Sequence, residues 1–184
     1  DVWSRPGLFS WDRVDAGSEI LADSIPDYIR GRGADFGAGQ GFLSREVLAN
    51  CPYVEHMTLL EAEYRALPCI EKTMEGLDKL DVRWADATKD AGDALYDFIV
   101  MNPPFHVGRA DASTLGQSFI RAAARALALW RVAIQTKRSP RRTLAVRAAA
   151  GPGTRPRSAL HYHRGCRRRA PLDPRRSPCL LIPQ

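Results

Sequence analysis

Apolar positions switch between helical and strand spacing several times in the first 129 residues. From Gly17 to Ile29 (GSEILADSIPDYI), Ile20, Leu21, Ile25 and Ile29 fall on roughly one helical face, though Pro26 must bend or break that helix. Gly33–Ala49 (GADFGAGQGFLSREVLA) reads as a short strand, a glycine-rich turn and a helix. Val54–Glu61 (VEHMTLLE) predicts a strand ending in an acid. Ala62–Leu77 predicts a helix flawed by Pro68, and Leu80–Ala87 (LDVRWADA) a second short strand ending in an acid. A further strand runs from about Leu95 to Met101. Ser113–Leu129 is an alanine-rich helix with Ser113 as its expected N-cap.

Strands alternating with helices predict an α/β fold: a parallel sheet covered by helices on both faces. In such sheets ligands bind beyond the carboxyl ends of the strands. The glycine turn, the two strand-end acids and the segment Asn102-Pro103-Pro104-Phe105 all fall at that edge. Their co-location does not depend on any single motif.

Charge divides the chain. Residues 1–129 carry 20 acids against 13 bases, whereas residues 130–184 carry 14 bases against one acid, Asp173. The predicted organisation is a core over 1–129, its fifth strand extending to 134 if Ala128–Ile134 (ALWRVAI) forms one, and an Arg/Pro-rich basic tail over 130–184. The tail has three readings: a basic arm gripping RNA phosphates, a disordered segment, or out-of-frame translation after a slip near Trp130. No apolar run reaches the length of a membrane span, and the start does not read as a signal peptide. The chain lacks an initiator Met, so a fragment or a processed chain is expected. Cys51, Cys69, Cys166 and Cys179 form no C-x-x-C pair, which argues against metal ligation and a disulfide framework and for a reducing cytoplasm.

The turn Asp35-Phe36-Gly37-Ala38-Gly39-Gln40-Gly41 lets a ligand approach the backbone closely, although tight strand-to-helix turns use glycine in any case. Glu61, 20 residues past Gly41, stands where a nucleoside site places an acid for two ribose hydroxyls. Asp86 is placed to hold an adenine amino group. Each acid alone reads more readily as a solvated strand end, and it is the pair at successive strand ends beside the glycine turn that points to a nucleoside. The glycine spacing departs from the dinucleotide fingerprint G-x-G-x-x-G. Asp35 suits a cationic ligand end and would be repelled by a pyrophosphate.

The pattern D-x-G-x-G-x-G resembles the first motif of class I S-adenosylmethionine-dependent methyltransferases. In those that modify a planar exocyclic nitrogen, [DNS]-P-P-[FYW] follows the fourth strand, where Asn102-Pro103-Pro104-Phe105 stands. Gly7–Pro26, Asp35–Ser44 and Asn102–Leu127 are similar to the catalytic domain of the small-ribosomal-subunit guanine-N2 methyltransferase C family, over about residues 5–129. That resemblance implies a Rossmann-like sheet, here expected to be incomplete after the fifth strand. It implies S-adenosylmethionine as cofactor, held by Asp35, Gly37, Gly39, Gly41, Glu61 and Asp86. It implies methyl transfer to a guanine of ribosomal RNA or the small subunit, held by Asn102, Pro103, Pro104 and Phe105. The segment around Phe9 and Ser10 would fold over the site, and His106 receives no role. Members of that family usually carry a second, related N-terminal domain, so a single-domain relative or a truncated piece is expected here. Adenine-N6 or protein-glutamine methylation, and a nucleic-acid-binding protein with an inactive core, stand as alternatives.

Overall fold

The computed structural model describes residues 1–92, 95–103 and 111–127, together with short strands at 132–135, 143–146 and 180–181. In chain order the elements are β1 (Trp3–Ser4), α1 (Ala16–Ser24), β2 (Gly31–Phe36), α2 (Phe42–Asn50), β3 (Val54–Glu61), a 3-10 turn (Tyr64–Ala66), α3 (Leu67–Thr73), β4 (Leu80–Trp84), β5 (Phe98–Met101), α4 (Asp111–Ala126), β6 (Val132–Gln135), β7 (Thr143–Val146) and β8 (Leu180–Leu181). Six strands form one sheet in the order β4-β3-β2-β5-β6-β7, and β1 pairs with β8 separately.

The sheet is parallel from β4 through β6, as the alternating pattern predicts. It does not stop at the fifth strand, where the sequence led us to expect an open edge. β7 runs antiparallel to β6, with Gln135 opposite Thr143 and Val132 opposite Val146. Backbone groups that would otherwise present an unpaired edge are therefore bonded.

Both faces are covered. On one, Met57, Leu59, Phe98 and Val100 pack with Leu21 of α1, Phe42 and Val47 of α2 and Ile70 of α3. On the other, Ala34, Phe36, Leu60, Ile99 and Met101 pack with Phe119, Ala122, Ala123 and Ala126 of α4. Burial on both faces explains why β5 (Phe98–Met101) reads as a continuous apolar run.

Several predicted boundaries move, each for a local reason. The helix expected over Gly17–Ile29 stops at Ser24, because Ile25 precedes Pro26 and takes an extended conformation. The helix expected over Ala62–Leu77 splits into the 3-10 turn and α3. Pro68 sits in the first turn of α3, where its missing N–H costs nothing. The strand expected to end at Ala87 ends at Trp84, so Asp86 lies two residues beyond it. Ser113 lies inside α4 and is not its N-cap.

The strand order places a crevice. β3 and β4 lie on one side of β2, while β5 lies on the other. Chain connections leave in opposite directions at the carboxyl ends of β2 and β5, which opens a gap between them. The glycine turn follows β2 and Asn102 follows β5. Among the described residues no helix is long and apolar enough to cross a membrane.

Candidate active site

A cavity of about 460 Å³ occupies this crevice. Its walls include Gly37 and Gly39 after β2, Glu61 at the end of β3, Asp86 beyond β4, and Asn102 and Pro103 after β5. Leu60, Ala85, Ala87, Leu115 and Phe119 supply an apolar side.

The glycine turn is built against the end of β3. Gly37 and Ala38 both donate N–H to the Leu60 carbonyl, at 2.9 and 3.1 Å, and Gly39 donates to Glu61 Oε2 at 2.7 Å. Gly39 has φ +58, and a Cβ there would meet nothing within 4 Å, so this stretch of backbone lies open to a ligand. Gly41 has a different task. It begins α2 at φ +84, and a Cβ would come 2.6 Å from Met74 Cε. It shapes the turn without lining the cavity.

Glu61 holds the turn with one carboxylate oxygen and the Glu63 N–H with the other, at 2.7 Å. Each oxygen keeps a second lone pair, so two ribose hydroxyls can still be accepted. Burial pushes its carboxyl above the ordinary range, opposed by the backbone donors of Glu63, Gly39 and Ala62. Asp86 is held by its own turn. Its Oδ1 accepts from Thr88 N–H at 3.0 Å and Thr88 Oγ at 2.6 Å, and its Oδ2 meets Lys89 Nζ at 2.9 Å. The Thr88 hydroxyl is the main reason its carboxyl titrates below the ordinary range. The lysine is largely exposed, and such a pair is weak enough for a ligand amine to displace.

Asp35 does not reach the cavity wall. It is fully buried beneath the turn, where Ser44 Oγ donates to Oδ2 at 2.8 Å, and Oδ1 has no hydrogen-bond partner among the described residues. Burial raises its pKa to about 7.

Asn102 is anchored across the crevice. Its Nδ2 donates to Asp15 Oδ2 and to Ser18 Oγ, both at 2.8 Å. Asp15 is also the N-cap of α1, accepting from Ser18 N–H at 3.0 Å. The Phe9–Ser10 segment is pinned over the turn by Gln40, whose Nε2 donates to the Phe9 carbonyl at 2.6 Å, and Phe9 lines the cavity. Asp15, Ser18 and Gln40 have no local motif, so sequence reasoning missed them. Pro104, Phe105 and His106 lie outside the described residues, as does most of the basic tail.

The strand order and the glycine turn at the switch point are those of a Rossmann-like methyltransferase fold, and the comparisons agree. Residues 1–144 match the model of the Methyltransferase small domain family, and the chain belongs to that family. It is 33% identical over 128 residues to Ribosomal RNA small subunit methyltransferase C of Salmonella arizonae, covering 68% of this chain and 36% of that protein. The same enzyme of Psychromonas ingrahamii is 31% identical over 121 residues, covering 65% and 34%. The chain thus spans about a third of the length of these relatives. A Pyrococcus horikoshii protein described as an RNA methyltransferase shares the fold with a TM-score of 0.56 at 24% identity, covering 73% of this chain and 68% of that one. N-methyltransferase NodS of Bradyrhizobium japonicum, solved with S-adenosyl-L-homocysteine, does so with a TM-score of 0.51 at 14% identity, covering 64% and 58%. The class that the family and the fold define is that of the methyltransferases.

Proposed function

We propose that this chain methylates the exocyclic N2 amine of a guanine in small-subunit ribosomal RNA, in the cytoplasm, using S-adenosyl-L-methionine. The observation that carries the reading is the single crevice that Gly39, Glu61, Asp86, Asn102 and Pro103 share at the carboxyl edge of the sheet. The ribosomal substrate is supported by the relatives' names.

The residues present suit the cofactor. Glu61 would accept from the ribose hydroxyls and Asp86 from the adenine amine, and the apolar wall would cover the ring. The open backbone at Gly39 would receive the methionine end, with Gly37 and Gly41 fixing the turn and Asp35 lying behind it. When bound, the cofactor supplies an electrophilic methyl on a sulfonium.

The target amine is a poor nucleophile, because its lone pair is delocalised into the base. Asn102 Oδ1 and the Pro103 carbonyl would each accept one of its N–H groups. This points the lone pair at the methyl and favours a tetrahedral nitrogen as the new N–C bond forms and the S–C bond breaks. The surplus proton leaves to water afterwards. Pro104 and Phe105 complete the motif, with Phe105 proposed to stack on the base. Residues 1–129 would hold this chemistry, and β6 and β7 of the Arg-rich 130–184 segment extend the sheet that carries it.

The test is transfer of labelled methyl to unmethylated small-subunit RNA, followed by nucleoside mass spectrometry. N2-methylguanosine is expected, whereas label on adenine N6 or on protein would overturn the assignment. Asn102→Ala is expected to lower kcat about 100-fold while leaving S-adenosylhomocysteine affinity within about twofold. Glu61→Ala is expected to do the reverse, weakening titrated S-adenosylhomocysteine binding about tenfold through the lost charged acceptor.

A further inference from the structure

An asparagine that must accept a hydrogen bond from its substrate faces an ambiguity. Its amide carries an acceptor on one arm and two donors on the other, and the arms are nearly the same size. With the nitrogen turned inward, it would present N–H to the N–H of the target amine. Something must hold the amide the productive way round.

We propose that Asp15 is the positioning residue that fixes this orientation, with Ser18 as its second contact. The proposal rests on the reading of Asn102 as the acceptor for the target amine. Asp15 and Asn102 are 87 residues apart in the chain and meet at 2.8 Å across the crevice. A carboxylate can only accept, so the arm of Asn102 that faces Asp15 must be the nitrogen. The opposite orientation would set amide oxygen against carboxylate oxygen. Ser18 Oγ takes the second Nδ2 hydrogen at 2.8 Å, so both donors are consumed on the α1 side. The Ser18 hydroxyl can donate or accept, and therefore follows the amide. Asp15 sets its direction. The amide oxygen is the arm left for an incoming N–H.

Asp15 is itself held. Its Oδ2 accepts from Ser18 N–H at 3.0 Å as the N-cap of α1, and α1 is anchored in the core by fully buried Leu21. The first turn of a rigid helix thus sets the orientation of a side chain on the loop after β5. Such preorganisation affects the rate more than the binding, because the wrong rotamer still admits cofactor and RNA but presents no acceptor.

Asp15→Ser separates the two tasks of this residue. Serine is as good an N-cap, since its Oγ can still accept from Ser18 N–H. Its side chain is one bond shorter and leaves Asn102 Nδ2 without the carboxylate. With labelled methyl and unmethylated small-subunit RNA, Asp15→Ser is expected to lower kcat about 10- to 100-fold. KM for RNA, S-adenosylhomocysteine affinity and the thermal midpoint should stay near wild type.

A second pair reads orientation directly. Asn102→Asp alone places two carboxylates against each other and is expected to lose about 100-fold or more in kcat. Adding Asp15→Asn restores a donor to face the new carboxylate and is expected to recover at least about tenfold. A merely structural role for Asp15 predicts a further loss in the double variant.

If Asp15→Ser transfers methyl at the wild-type rate while Asn102→Ala does not, the positioning role is wrong and the acceptor reading stands. If Asn102→Ala itself transfers at the wild-type rate, the acceptor reading fails and takes this proposal with it. If Asp15→Ser does not fold, the double variant decides. Recovery supports the proposal, and its absence overturns it.

Discussion

Asp35→Asn is expected to flatten the pH dependence of folding stability and to leave the variant more stable than wild type at pH 8. The Asp35 carboxyl is fully buried, and burial raises its pKa from 3.8 to about 7. Ser44 donates to it from Oγ at 2.8 Å and from its backbone, too little to offset the burial, and Oδ1 has no partner among the described residues. The unfolded chain lets this group ionise near its ordinary value, whereas the folded chain keeps its proton until about pH 7. Over that window folding takes up a proton, so stability falls as pH rises. The contribution is fully present below pH 4 and gone above pH 7. A shift of about three units corresponds to up to about 4 kcal/mol. Asparagine cannot ionise, and its amide oxygen can still accept from Ser44. Urea unfolding at intervals from pH 4 to pH 8 would show it, as a falling wild-type curve and a much flatter variant curve. Glu61, also raised by burial, leaves a residual slope of the same sign in both. Parallel curves would mean that Asp35 is solvated or paired in solution.

Asp35 also shows where the sequence stops being legible. The spacing from Asp35 to Gly41 located the turn, and the strand β3 appears with the predicted bounds, because both signals are local. The face onto which a strand residue points is not local. Asp35 alternates with Ala34 and Phe36, and only the packed sheet shows it turned under the turn toward Ser44. Glu61 and Asp86 are distinguished in the same way. They look alike as strand-end acids, yet one clamps the Gly39 amide and the other closes a turn with Thr88 and Lys89. Asn102 was legible through its two prolines. Its partner Asp15 was not legible, because the bond joining them spans 87 residues. The open edge expected after the fifth strand failed for a related reason. The basic residues around Thr143–Val146 show no steady apolar alternation, so nothing local announced β7.

Gly33→Ala is expected to destabilise the chain by about 2–3 kcal/mol, and Gly33→Val by more. On an open strand the same change would help, since glycine inside a strand costs roughly 0.5–1 kcal/mol relative to alanine. The sign of the effect is therefore diagnostic. Gly33 lies in β2 with Met57 beside it on β3 and Phe98 on β5. A Cβ would overlap the Phe98 ring and come 2.6 Å from Met57 Sδ. Neither neighbour can step aside, because both are buried in the same cluster with Phe42 and Val47. Relief must come from the backbone of β2, which carries Asp35 and the glycine turn. The variant should therefore lose S-adenosylhomocysteine affinity even at temperatures where it remains folded. Phe98→Leu removes part of the ring that Gly33 accommodates, so the double variant Gly33→Ala/Phe98→Leu should be more stable than the two single losses add up to. Urea midpoints for the four proteins test this. An alanine variant that melts with wild type would show that β2 and β5 lie farther apart than their register requires. The close approach that brings the glycine turn and Asn102 to one crevice would then need another cause.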